Sequence, residues 1–241
     1  MYKLLFLSTK QKAFFKYLIL FILICANLSL IFSQLSHQED IEPVYFVDIC
    51  SSKVVAFTFE ILWEEDQLRE VLDVLHRKEV NATFFFSGKW LEENPQSAKT
   101  ILLKGNEIGN HTYSHSSLVK LSEGNIYNEI NTFTKLTQEN MEYHPQVFRP
   151  PYGEYNQLVL KQAAQQGYTT ILWSINMKDG HYIDKGKLIN SIPFKLHDGA
   201  IINFRVNTPH LPHILPEIIE LVKKEGYRVL TVSELLSKDK N

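Results

Sequence analysis

Two imidazoles stand close together in Asn110-His111-Thr112-Tyr113-Ser114-His115 of the 241-residue chain. A single turn of backbone between them would bring both ring nitrogens to one divalent cation, because residues i and i+4 share a face. That spacing suggests a metal site. Glu60, Arg149, Asp179 and Arg205 are the charged residues whose places in the pattern suit acid–base and electrostatic work. Their value depends on the elements that carry them.

From residue 44 onward, short β-branched or aromatic runs alternate with amphipathic stretches, the pattern of a parallel α/β sheet. Residues 44–49 and 53–59 read as an N-terminal β-hairpin turning at Ser51-Ser52. Counted from Lys53, strands at 53–59, 82–86, 107–109, 146–148, 169–175, 200–204 and 228–232 make seven. Helices at 65–78, around 98–102, at 123–140, 156–166, 185–196 and 214–224 separate them. Short right-handed crossovers of this kind favour a closed or nearly closed, distorted (β/α) barrel. An open doubly wound sheet is the other arrangement, but no glycine-rich nucleotide loop follows the first strand. In the barrel register Glu60, His111, Arg149, Asp179 and Arg205 all sit at the C-terminal ends of strands, where barrel enzymes build their sites.

Upstream of the domain, Lys3, Lys10, Lys12 and Lys16 precede an apolar run from Tyr17 to Phe32. This is an export signal, and the lack of an A-x-A-like site near Ser33 favours an uncleaved anchor. The expected organisation is a signal-anchor or signal peptide at 1–33, a polar linker at 34–43 and one domain at 44–237. The lysines keep the N-terminus cytoplasmic, making a single-pass cell-membrane protein with an extracytoplasmic domain. A net charge of -2 gives no basic field for nucleic acid. Cys25 and Cys50 make neither a disulfide framework nor a zinc framework.

The residues resemble the polysaccharide deacetylases, the NodB-homology domains of carbohydrate esterase family 4, over roughly 53–236. Thr58-Phe59-Glu60-Ile61 stands where the family has Thr-Phe-Asp-Asp, His111 to His115 matches its two-histidine motif, and Arg149-Pro150-Pro151-Tyr152-Gly153 matches its third motif. Ala82 to Gly88 and Gly226 to Glu234 are also similar, and the sporulation-type bacterial branch is nearest. The resemblance implies hydrolysis of N-acetyl groups on peptidoglycan or chitin-like glycans. It also implies roles for single residues: His111 and His115 hold a divalent metal, with zinc the expected ion, Glu60 is the base, Arg149 orients it, and the Tyr152 N–H faces the oxyanion. Asp179 tunes the catalytic acid. Tyr113, Tyr152 and Trp173 are candidates to stack on sugar rings.

Against the family pattern, Ile61 replaces the metal-binding aspartate, Gly180 replaces a tryptophan, and Arg205 replaces the acid histidine. An arginine cannot release a proton near neutral pH. His181, His210 and His213 are the nearby imidazoles that remain as substitutes. The expectation is a deacetylase of reduced efficiency, with a non-catalytic glycan-binding module and an O-acetyl esterase as the alternatives.

Overall fold

The computed structural model describes residues 14, 16–27, 41–49, 52–62, 67–177 and 185–238. The chain divides into two units, residues 1–40 and 41–241. In the first, residues 16–27 are helical (α1) and carry exposed apolar side chains such as Ile19, Phe21 and Leu23. Among the described residues no helix is long and apolar enough to cross a membrane. Most of the expected anchor and most of the linker lie outside the described residues.

The second unit begins with β1 (Val54–Ile61), α2 (Leu68–Arg77), β2 (Thr83–Phe86), α3 (Gly88–Glu93), α4 (Pro95–Leu103), β3 (Glu107–Asn110) and α5 (Glu123–Met141). It continues with β4 (Val147–Phe148), α6 (Gln157–Gln165), β5 (Thr169–Thr170), β6 (Ile175–Asn176) and α7 (Lys185–Lys195). It ends with β7 (Ile201–Arg205), α8 (Leu211–Lys224), β8 (Arg228–Leu230) and α9 (Val232–Leu236).

Strand β1 is buried along its whole length, as a central parallel strand covered on both faces must be. Side chains alternate across it. Val55, Phe57, Phe59 and Ile61 join the outer apolar layer with Leu68, Val71, Leu72 and Leu75 of α2 and Leu215, Ile218 and Ile219 of α8. Val54 and Ala56 join a separate inner cluster with Phe85 and Ile201. Thr58 and Glu60 therefore face inward, where polar groups need partners.

All the strand pairs are parallel, in the order β5-β4-β3-β2-β1-β7-β6. The two ends of this path belong to one segment. β5 pairs with β4, β6 pairs with β7, and only residues 171–174 lie between them, so the chain itself closes the ring. The single strand expected at 169–175 is thus two short ones with a bend, giving eight strands among the described residues where seven were expected. β8 pairs with Val54, Val55 and Ala56 at the start of β1, whereas β2 pairs with its Thr58–Ile61 end.

The expected N-terminal hairpin does not form. Val44 makes a parallel bridge to Ile171 and Phe46 an antiparallel bridge to Ala200. β1 has no free edge to offer, since β7 holds one side and β8 and β2 share the other. The upstream segment instead fills the gap left by the bend, with Val44 N–H donating to Thr170 O (2.8 Å), Leu172 N–H to Val44 O (2.8 Å) and Val47 N–H to Gly199 O (3.0 Å).

Gly199 is what lets this segment approach. Its φ is +71°, and a Cβ there would collide with the Val47 carbonyl. Gly167 also has positive φ, +83°, but open space around it. Gly167→Ala is expected to cost only the left-handed penalty of roughly 1–2 kcal/mol. Gly199→Ala adds an overpacking term of about 1–3 kcal/mol. Urea unfolding of the two variants checks this, and equal losses would show that the Val44–Val47 segment does not depend on Gly199.

Candidate active site

The inward face of β1 meets that of β7 in register, Thr58 beside Asn203 and Glu60 beside Arg205. Asn203 donates from Nδ2 to Glu60 Oε1 (3.0 Å) and accepts at Oδ1 from Arg149 Nη1 (2.8 Å). The same Nη1 lies 3.5 Å from Glu60 Oε1. Arg149 further donates from Nε to Ile171 O (3.3 Å) and from Nη2 to Leu172 O (3.1 Å). Its guanidinium carbon sits 4.2 Å from the centroid of the Phe85 ring and 5.3 Å from that of Trp173. Burial pulls the Arg149 pKa down to about 10 despite the support of Glu60, so it stays cationic at neutral pH.

Strand β3 delivers the histidines. They converge without the helical turn that their spacing suggests: Thr112 (φ 68°) and His115 (φ 60°) are both left-handed. Local hydrogen bonds hold this strained loop. Asn110 Oδ1 accepts from Thr112 N–H (2.9 Å), Thr112 Oγ1 accepts from His115 N–H (3.0 Å), and Glu129 of α5 accepts from the N–H and hydroxyl of Ser114 (2.8 and 2.7 Å). The two rings end 4.8 Å apart, centroid to centroid, and His115 is 4.8 Å from the Tyr152 ring.

His111 is set in one tautomer. Its Nδ1 is 2.7 Å from Arg149 O, a carbonyl that can only accept, so Nδ1 carries the proton. Nε2 is left with a bare lone pair, buried and with no hydrogen-bond partner among the described residues. Burial pushes the His111 pKa from 6.5 to about 3, outweighing the pull of Glu60, so the ring is neutral.

After Arg149 the chain runs through Pro150 and Pro151, which have no N–H, making Tyr152 N–H the first backbone donor beyond it. Tyr152 is left-handed (φ 62°) and its side chain is exposed. Trp173 packs on the Arg149 guanidinium and on Gly153, where an added Cβ would lie 2.9 Å from its ring. It therefore backs the site. Tyr113 is half-buried, its hydroxyl donating to Glu92 (3.2 Å). Arg205, the last residue of β7, is half-buried, and its Nε has no partner among the described residues. Asp179, Gly180 and His181 lie outside the described residues. His210 and His213 are exposed, and His213 lines a surface recess with Glu70 and Arg77 of α2.

Asn203 escaped sequence reading. Its signal is faint: a polar side chain at an inward position of the apolar run Ala200–Phe204, two residues before Arg205.

Residues 49–171 match the family described as Polysaccharide deacetylase. The chain belongs to the polysaccharide deacetylase family. It is 34% identical over 213 residues to a Bacillus cereus peptidoglycan-N-acetylglucosamine deacetylase, covering 83% of this chain and 97% of that protein. It is 31% identical over 212 residues to the uncharacterized protein YlxY of Bacillus subtilis, covering 86% of this chain and 66% of YlxY. Among solved structures, BA3943, a CE4 family pseudoenzyme from Bacillus anthracis, is similar at a TM-score of 0.77 and 29% identity, over 82% of this chain and 69% of that one. A mutant of BA3943 has restored enzymatic activity.

Family membership raises the question of a metal. The bare Nε2 of His111 is the atom a ligand would use, and His115 adjoins it. A catalytic zinc needs three protein ligands, however, and among the described residues no group of three His, Cys, Asp or Glu is placed to hold an ion. Ile61 belongs to the outer apolar layer, opposite in sense to Glu60, and Glu60 is engaged by Asn203 and Arg149. The described donors do not fit a complete site.

Removing Arg149 leaves Glu60 buried without its counter-charge and cuts two bonds to the closing segment. Arg149→Leu is expected to lose about 3–5 kcal/mol of stability, and Glu60→Gln, which also strands a buried charge but keeps an oxygen to accept from Asn203 and leaves the Arg149 bonds to Ile171 and Leu172 intact, less. Denaturant titration of both variants measures this, and comparable losses would contradict it.

The neutral His111 also makes stability depend on pH. Unfolded chains take up its proton below about 6.5 and the folded chain only near 3, so the contribution is complete above 6.5 and is lost as pH falls toward 3. In chelator-treated protein the unfolding free energy is expected to change by up to about 1.4 kcal/mol per pH unit in that window. His111→Gln should flatten that part of the profile, and an unchanged slope would show that the proton uptake comes from elsewhere.

Proposed function

We propose that this chain is an extracytoplasmic polysaccharide deacetylase-like protein, anchored by its N-terminal segment, that binds N-acetylated cell-wall glycan at the C-terminal rim of the barrel and releases acetyl groups slowly. The observation that carries this reading is the junction of Glu60, Arg149, Asn203 and the neutral His111 at adjoining strand ends. The related Bacillus cereus protein is a peptidoglycan-N-acetylglucosamine deacetylase, which supports an amino-sugar polymer as the substrate class.

The chemistry follows from the residues. Glu60 takes a proton from water, and the water oxygen adds to the acetyl carbonyl carbon. Tyr152 N–H, held by its left-handed backbone, donates to the oxygen that gains charge. Collapse then breaks the C–N bond, and the departing nitrogen needs a proton. Arg205 keeps its own proton, so that step falls to solvent. Loss of a general acid typically costs 10²–10⁴-fold, or roughly 3–5 kcal/mol of barrier.

A second reading, glycan binding without hydrolysis, is supported by Ile61, Arg205 and the likeness to the BA3943 pseudoenzyme. One experiment separates the two. Acetate release and glycan binding are measured together on acetylated chito-oligosaccharides and peptidoglycan, using the full chain in detergent. Slow release that Glu60→Gln abolishes and Arg205→His raises by about 10² or more supports the first reading. Binding with no release in either the wild type or Arg205→His establishes the second. Absence of glycan binding overturns both.

A further inference from the structure

In a parallel barrel each helix returns the chain to the start of the next strand, so the helix-to-strand connections gather at one end, opposite the strand ends that carry Glu60, His111, Arg149 and Arg205. Among the described residues of the second unit, the exposed large hydrophobic side chains are Tyr45, Phe46, Leu103, Tyr127, Tyr152 and Phe194. The three without a hydroxyl share the connection end. Leu103 closes α4, Phe194 lies in the last turn of α7 with 91% of its surface exposed, and Phe46 bridges to Ala200, immediately before β7. Single exposed apolar residues are ordinary, but three gathered at one end of a barrel mark a contact surface.

Charge says what the partner is. Lys195 ends α7, Lys223 and Lys224 end α8, Lys53 precedes β1 and Arg228 opens β8, and all of them are exposed. Asp48, Asp198 and Glu225 oppose them, so positive charge is in surplus on this side. Contacts join the aromatic and cationic parts. The Phe46 ring meets the His197 ring edge-on, 5.4 Å between centroids, and His197 follows Phe194 by three residues. Asp198, next in the chain, interacts with the Tyr227 hydroxyl, and Lys53 Nζ lies 5.2 Å from the centroid of the Tyr227 ring while donating to Glu225 O (2.7 Å).

Exposed phenylalanine and leucine bordered by lysine and arginine suit an anionic bilayer surface, where apolar side chains enter the headgroup boundary and the cations meet lipid phosphate. Reach allows it. The apolar run from Tyr17 to Phe32 ends 14 residues before Phe46, and a chain of that length spans at most about 50 Å. We infer that the helix-to-strand end of the barrel docks on an anionic phospholipid surface through Phe46, Phe194 and the cations around them. This rests on the proposed extracytoplasmic placement and goes beyond it. The domain itself then holds the membrane, and the end carrying Glu60 and Arg149 is turned away from the bilayer, toward the glycan beyond it.

The test uses the full chain, with Cys25 and Cys50 changed to serine, reconstituted in phospholipid vesicles. An environment-sensitive fluorophore is attached at Phe194→Cys or, at the opposite end, at Tyr152→Cys, both exposed positions whose labelling leaves the core intact. Lipids carrying a nitroxide near the headgroup act as the quencher. In vesicles containing phosphatidylglycerol the Phe194 label is expected to lose most of its emission and the Tyr152 label to keep it. The difference should shrink with added salt and be lost when Lys195→Glu and Lys224→Glu are combined. Equal quenching of the two labels, or none at Phe194 in a chain that floats with the vesicles, overturns the docking face while leaving the anchor intact. A Phe194 label that is blue-shifted, unquenched by nitroxide lipid and restored on dilution of the chain in the membrane overturns it in favour of a second copy. Flotation reads the anchor separately. A chain that floats with phosphatidylglycerol vesicles but not with neutral phosphatidylcholine supports the docking face and removes the anchor, and one that floats with neither sinks both.

Discussion

A guanidinium with no exposed surface, held by Glu60, Asn203 and the carbonyls of Ile171 and Leu172, ties together parts of the barrel that are far apart in sequence. Two of those contacts fall on the bend between β5 and β6, where the ring of strands closes through the chain itself. Bent backbone leaves the regular ladder, and its buried carbonyls need donors from elsewhere. Arg149 supplies them. Its positive charge in turn requires a buried carboxylate, which β1 provides in Glu60, so closure of the fold and composition of the site are one constraint.

That coupling bears on what this chain retains of the family pattern and what it lacks. Glu60, Arg149 and the loop from Asn110 to His115 each satisfy buried backbone or charge, and their loss would be felt by the fold. The positions that differ are of another kind. Ile61 fills the apolar layer beneath α2, and Arg205 lies at the rim, where a side chain can change without leaving a hole. A deacetylase scaffold can therefore shed the groups that serve chemistry alone while the groups that also serve folding persist.

Strain is placed where the site needs it. Thr112, His115 and Tyr152 are left-handed without being glycine, and all three lie around the two imidazoles. The hydrogen bonds of Asn110 and Glu129 hold the first two in place. Ring orientation and the tautomer of His111 follow from backbone contacts rather than from any ligand, so the site is organised in advance.

Much of this was legible in the residues. The apolar stripe of α2, the buried run of β1, the alternation of strands and helices, and the gathering of Glu60, His111, Arg149 and Arg205 at strand ends all follow from periodicities of two and 3.6, which are local properties. Other features were decided only when the chain closed. The hairpin expected at 44–49 gave way to bridges with Ile171 and Ala200 because both edges of β1 were already taken, a fact about partners distant in sequence. The expected strand at 169–175 split because it must meet β4 at one end and β7 at the other. Asn203 became the hub of the site because an inward position on β7 lies beside Thr58 and next to Glu60 and Arg149. Composition and spacing determine which side chains carry chemistry and which face of an element they share; pairing, closure and the partners of buried charges are long-range, and only the folded barrel sets them.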